Sequence, residues 1–194
     1  PPWTSDPTLQ SRRFTNVYRS LDPGTIYIMA YLEENPPVDD VDLFWKISVY
    51  RMLNRIETYE RHGIPERDTA SIDPWFAGIR ADQDAGISVA TGSHCTHVRN
   101  IRPWLEGWTD DGRVRPIIEM AKQADTVEGV RKSIGVMRGL GSFMSLQVAC
   151  DYLWSPYSHL PTTSLVPLAI VSRLSLDLML TGVFDVRAPK QHSE

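Results

Sequence analysis

Gln147 and Asp151 lie four residues apart in a stretch, Met137 to Trp154, that opens with Gly139-Leu140-Gly141. On a helix that spacing puts an amide and a carboxylate on one face. Phe143, Leu146, Val148, Ala149 and Leu153 supply apolar surface for the remainder, so a polar pair is expected to project from an otherwise apolar helix. The two glycines fall where a helix-like run from Val127 to Met137 must turn into a second run starting at Ser142, the signature of a helix-hairpin-helix. Glycine permits positive φ and close approach in such a turn. The free N–H groups opening the second helix suit a phosphate oxygen. Gly139, Gly141 and Ser142 are therefore candidate phosphate-binding positions. The same residues also admit a purely structural reading, with Gly-Leu-Gly as an αα turn and Asp151 as a surface or capping carboxylate.

A second polar set precedes it by more than a hundred residues. Between Arg12 and Asp22, Phe14, Val17, Tyr18 and Leu21 recur at helical spacing, leaving Arg13, Asn16, Arg19 and Asp22 as a polar face. The two faces are expected to meet in one cleft, with Arg19 or Asp22 near Gln147 or Asp151. The alternative for Arg19 and Asp22 is an ion pair that holds the first helix in place. His94, Cys95 and His97 place one thiol and two imidazoles within four residues, but lack the spacing of a zinc motif and have no fourth ligand. No metal and no cofactor is assigned.

The elements that must position these groups read as helices. Asp22-Pro23 is an N-cap followed by proline at the first helical position, predicting a helix to about Glu34 that Asn35-Pro36-Pro37 ends. The longest helical pattern runs from about Asp40 to His62 as one amphipathic helix with Phe44, Trp45 and Tyr50 in the core, and Gly63 terminates it. Asp73-Pro74 repeats the cap-plus-proline device and predicts a helix to about Gln83. Gly86 to Val98 reads as a small β-hairpin or an extended loop, and residues 99–112 as a loop with one helical turn. Arg113 to Ala124 and Thr126 to Met137 read as two helices, and Leu165 to Leu180 as a last helix packing back onto the core. The expected fold is all-α over one domain, residues 1–194, with one small β-hairpin as an option.

The chain has 194 residues, 42% of them hydrophobic, enough for a real core. A formal net charge of -4 gives no global basic field, so nucleic-acid binding would use a local patch. With two cysteines, neither a four-cysteine cluster nor a disulfide framework is available. No apolar run long enough to span a membrane and no N-terminal signal are seen, so a soluble intracellular protein is expected. A first residue of Pro1 is expected to reflect loss of at least an initiator methionine. There is no Gly-x-x-x-x-Gly-Lys-Ser/Thr loop, Gly-x-Ser-x-Gly elbow, His-Glu-x-x-His or dinucleotide fingerprint. P-loop kinase, hydrolase and dehydrogenase chemistry thus have no carrier in this chain.

The N-terminal block Pro-Pro-Trp-Thr-Ser-Asp-Pro-Thr-Leu-Gln, followed by Arg13-Phe14-Thr15-Asn16-Val17-Tyr18-Arg19 and Asp22, resembles the start of the helical domain of 5-hydroxymethyldeoxyuridine DNA kinases. That domain is related to the α-glutamyl/putrescinyl-thymine pyrophosphorylases of thymine hypermodification. Gly139 to Phe143, with Gln147 and Asp151, resembles a second block of these families, which are similar to helix-hairpin-helix DNA glycosylases. The resemblance implies a glycosylase-like helical domain that engages DNA containing modified thymine, with a P-loop kinase as partner or fused domain. If catalytic, it would replace pyrophosphate on a 5-hydroxymethyl group by an amine. Arg13 and Arg19 are then candidates for the leaving pyrophosphate, Asp22 or Asp151 for the base, and Asn16 and Gln147 for hydrogen bonds to an extruded base. The family's Gly-Pro-Gly-like segment corresponds here to Leu168-Ala169-Ile170-Val171-Ser172-Arg173, without glycines. The rival reading is a non-catalytic DNA or modified-base binding module. A DNA glycosylase comes third, since no lysine sits in the turn and Asp151 lies closer to it than the glycosylase Asp does.

Overall fold

The computed structural model describes residues 22–91 and 98–161. Among them are eight helices and no strand: α1 (Pro23–Glu34), α2 (Asp40–Leu53), α3 (Ile56–His62), α4 (Thr69–Asp84), α5 (Val98–Glu106), α6 (Asp111–Lys122), α7 (Val127–Ile134) and α8 (Ser142–Trp154). The all-α expectation holds. No described helix is long and apolar enough to cross a membrane.

Helix α2 is the centre. Every residue from Val41 to Leu53 is buried, and α1, α6 and α8 pack around it. A helix surrounded by neighbours has to be apolar on all sides, and Leu43, Phe44, Trp45, Ile47, Val49, Tyr50, Met52 and Leu53 satisfy that. The amphipathic stripe expected from its spacing is therefore too narrow a description. The charges α2 carries inward must find partners, because an unpaired ion in the core is costly. Lys46 Nζ donates to Asp42 Oδ2 at 2.8 Å and to the Asn35 carbonyl at 3.3 Å. Arg51 is paired in the cluster described below.

Asp40 to His62 is two helices rather than one. Asn54 adopts the left-handed conformation (φ 50, ψ 38), and its N–H donates to the Tyr50 carbonyl at 2.9 Å. Asparagine tolerates that conformation better than other side-chain-bearing residues, so the chain turns there and α3 departs in a new direction. Tyr59 of α3 returns its hydroxyl to the Val49 carbonyl.

Helix α4 starts earlier than its proline implies. Asp68 is the N-cap, accepting from Ser71 N at 2.7 Å, and Pro74 lies inside the helix. Asp73, read as the cap, instead pairs with Arg102 of α5 at 2.9 Å on the surface. Asp68→Ala is expected to cost about 1 kcal/mol, the usual worth of an N-cap. Asp73→Ala is expected to cost less than that, as exposed ion pairs do. Thermal unfolding of the two variants side by side checks the assignment, and the reverse order would restore Asp73 as the cap.

Of the two options for Gly86 to Val98, the described residues 86–91 follow the extended loop, and Val98 already opens α5. Thr91 N donates to the Leu53 carbonyl at 3.0 Å and the Val89 carbonyl accepts from Thr58 Oγ1 at 2.9 Å. These bonds tie the segment to the junction of α2 and α3. Residues 99–106, expected as a loop, belong to α5, which buries Val98, Ile101 and Leu105. Arg12 to Leu21, His94, Cys95, His97 and Leu165 to Leu180 lie outside the described residues.

Candidate functional site

Four residues, Asp22, Thr25, Asn54 and Asp151, bring their polar groups to Arg51. The guanidinium lies near the C-terminus of α2 with 2% of its side chain exposed. Asp151, in the last turn of α8, is fully buried and takes Arg51 side-on: Nε donates to one carboxylate oxygen, and Nη2 to the other at 2.9 Å. Asp22, the N-cap of α1, accepts from Arg51 Nη2 at 3.1 Å and from Thr25 N at 3.0 Å. Thr25 Oγ1 sits between the two carboxylates, 2.9 Å from Asp151 Oδ1 and 3.0 Å from Asp22 Oδ2. Nη1 donates to Asn54 Oδ1 at 2.6 Å.

The electrostatics follow from this packing. Burial works against charge on Arg51, but Asp151 and then Asp22 outweigh it and raise its pKa above the ordinary arginine value. The cation therefore persists throughout the accessible pH range, and its planar fork matches a carboxylate in a way lysine cannot. Tyr50, beside Arg51 on α2, has its phenol pushed far above the usual range, chiefly by burial, so it is a neutral hydroxyl.

Local sequence builds each arm. Asp22-Pro23 starts α1 as expected, and the capping carboxylate is the one that turns to Arg51. Gly24 lets α1 approach: a β-carbon there would lie 2.9 Å from Tyr50 Oη and 3.0 Å from Arg51 Nη1.

At the other end of α8, residues 135–141 turn the chain from α7 into α8, and the two helices pack against each other. The preceding helix ends at Ile134, short of the expected Met137, because Gly135 closes it. The two glycines of the turn differ. Gly139 has φ 91, and a β-carbon on it would lie 2.4 Å from the Trp104 ring of α5. Gly141 has φ -55 and open space around it, and it precedes an α8 N-terminus with no side-chain cap. Ser142 is exposed beside it.

The placement of the sequence candidates is therefore uneven. Asp22 and Asp151 come together although 129 positions separate them in the chain. Asp151 does not project, as the helical spacing suggested; it is buried, because Arg51 reaches it from α2. Gln147, one turn earlier, is partly buried. Arg13, Asn16 and Arg19 lie outside the described residues. Among the described residues no group of three or more His, Cys, Asp or Glu is placed to hold a metal ion.

A family model described as "5-hmdU DNA kinase, helical domain" matches residues 1–187. The chain belongs to that family. No curated protein and no solved structure matches it. For this 5-hmdU DNA kinase helical domain, the resemblance drawn from the N-terminal and glycine-turn blocks is correct, and a connection with thymine modification and an associated kinase follows from the family. Thr25, Arg51 and Asn54 were missed by sequence reasoning. Arg51 left one signal, a charge inside the otherwise apolar run Val49 to Leu53.

Proposed function

We propose that this domain engages DNA carrying 5-hydroxymethyluracil or a related modified thymine and takes part in its hypermodification, with the Asp22, Arg51 and Asp151 cluster at the site. The observation that supports this most is the convergence of two distant carboxylates on one buried guanidinium, beside a partly exposed rim. As a transferase, the domain would break the bond from the 5-methylene carbon to pyrophosphate oxygen and form one to an amine nitrogen, which gives up a proton. Asp22, with 32% of its side chain exposed, is the candidate to accept that proton. Asp151 and Arg51 are positioning residues, since neither reaches solvent. Arg13 and Arg19 are the candidate cations for pyrophosphate, Asn16 and Gln147 the candidate hydrogen-bonding groups for the base, and Gly141 and Ser142, with Gly139 shaping the turn, the candidate phosphate contacts at the N-terminus of α8. Residues 1–194 would act as one helical domain alongside a P-loop kinase.

A second reading, a binding module without turnover, is favoured by the mutual saturation of Arg51 and Asp151 and by the run Ala169-Ile170-Val171 where glycines would cradle a phosphate. Incubating the protein with DNA bearing 5-hydroxymethyluracil or its pyrophosphate ester, with and without amines, and digesting to nucleosides for mass analysis decides between them. An amine adduct is the transferase result. Salt-sensitive binding that prefers modified thymine, without product, is the module result. Release of free base would identify a glycosylase, and absence of binding at low salt would remove the nucleic-acid reading.

A further inference from the structure

Helix α1 carries no charged residue before its last two, Glu33 and Glu34. Its inner side is buried at Thr25, Ile28 and Leu32. At about 3.6 residues per turn, Pro23, Ile26, Tyr27 and Ala30 fall on the opposite side. Pro23 and Ala30 are exposed, Ile26 is 53% exposed and Tyr27 is half-buried. A surface helix ordinarily turns polar and charged side chains outward, and a helix apolar on all sides is one that has neighbours on all sides. Single exposed apolar residues such as Met120 and Val136 are ordinary. A strip that continues for two helical turns marks a contact surface. Tyr27, in the middle of the strip, is held in place, its ring stacked on Tyr50 at 5.3 Å and on Tyr31 at 6.5 Å. An aromatic anchor fixed in this way loses little freedom when a partner covers it.

The strip runs into acid. Glu33 and Glu34 sit at the negative end of the helix dipole, with no basic residue in that turn. The Tyr27 phenol is raised above its ordinary value by partial burial first, then by Glu60, Tyr31 and Glu34, so carboxylates of α3 and of α1 both border this ring. Among the described residues no cation pairs with Glu33, Glu34 or Glu60. Lys46 reaches the carbonyls of Asn35 and Pro36 just beyond the helix, but its charge is paired with Asp42. An apolar strip bordered by unpaired carboxylates complements an apolar surface edged with cations, and it repels phosphate.

We infer that the outward face of α1 is where this domain docks onto its kinase, received there by an apolar surface edged with lysine or arginine. The inference rests on the kinase partnership in the proposed function, and it assigns that contact to one helix. DNA is engaged elsewhere. The inner side of the same helix carries Asp22 and Thr25 to Arg51, so the docked kinase would lie against the element that builds the site.

The probe is the purified P-loop domain of a 5-hmdU DNA kinase, titrated with the wild-type chain and with two variants by calorimetry and by stopped-flow kinetics at several salt concentrations. Ile26→Ser removes the exposed apolar centre, and the double variant Glu33→Lys/Glu34→Lys reverses the border. Met120→Ser and Glu119→Lys, exposed on α6, are the controls. Ile26→Ser is expected to weaken kinase binding roughly tenfold or more, as loss of an interface anchor does. The charge reversal is expected to slow association roughly tenfold at low salt and to remove its salt dependence. Both variants should keep the wild-type melting temperature and its binding to DNA carrying 5-hydroxymethyluracil, and both controls should bind the kinase as the wild type does. Kinase binding unchanged in both variants overturns the inference and leaves the partnership standing; no binding by the wild type removes both. A lowered melting temperature in Ile26→Ser would show that the chain's own residues cover the strip. Self-association of the wild type that Ile26→Ser abolishes would make the occupant a second copy, and loss of DNA binding in place of kinase binding would make the strip a nucleic-acid surface. Each of these three results overturns the inference.

Discussion

Arg51→Met is expected to lower the unfolding free energy by about 3–5 kcal/mol, the usual cost of removing one partner from a buried ion pair. The methionine fills most of the space, so the loss is electrostatic: Asp151, with no exposed side-chain surface, would keep only Thr25 of its described donors. Asp151→Asn should cost less, because a neutral amide can still accept from Arg51 and the guanidinium retains Asp22 and Asn54. In the double variant the two losses should fall well short of additive, as they do for residues in one hydrogen-bonded network. Equilibrium urea unfolding of the four proteins measures this. A cost below about 1 kcal/mol for Arg51→Met would mean that the pair behaves like an exposed one, and the positioning role assigned to Arg51 would go with it. Arg51→Lys is expected to rescue little, since a lysine cannot engage Asp151 through two nitrogens while reaching Asp22 and Asn54.

The second large effect is expected at Gly139, and its contrast with Gly141 is the informative part. Gly139→Ala places a methyl carbon 2.4 Å from the Trp104 ring at a φ of 91, so backbone strain and overpacking act together. With about 1–2 kcal/mol from the left-handed backbone and about 1–3 kcal/mol from forced repacking, a loss of several kcal/mol is expected. Gly141→Ala, with an ordinary φ and open space, is expected to change stability by less than about 0.5 kcal/mol, as surface substitutions do. Thermal unfolding followed by tryptophan fluorescence distinguishes them, because Trp104 is the residue struck. Gly139→Ala combined with Trp104→Ala should recover part of the steric share and none of the φ share. Equal behaviour of the two glycines would contradict the packing of α5 onto the turn.

The sequence by itself determined the features whose causes are local. Asp22-Pro23 started a helix because capping needs only a side chain within reach of an N–H three residues on. The glycine turn between two apolar runs was legible for the same reason, and residues of two separated blocks sufficed to place the chain in its family. Local signals misled where two competed. Asp73-Pro74 looked like a cap although Asp68 provides it, and Asn54, unremarked inside a long helical pattern, breaks that helix by a left-handed turn that helical periodicity does not register. What only the tertiary structure decided is which polar groups meet. Asp151 sits at helical spacing from Gln147 and so reads as an outward pair. Whether a helix face looks to solvent or to another helix is set by what packs on it, and here α2 covers α8 and presents Arg51. That meeting joins positions a hundred residues apart, and the low dielectric of the interior makes it obligatory: a carboxylate taken out of water has to be met by a cation, and only the packing of α1, α2 and α8 puts one there.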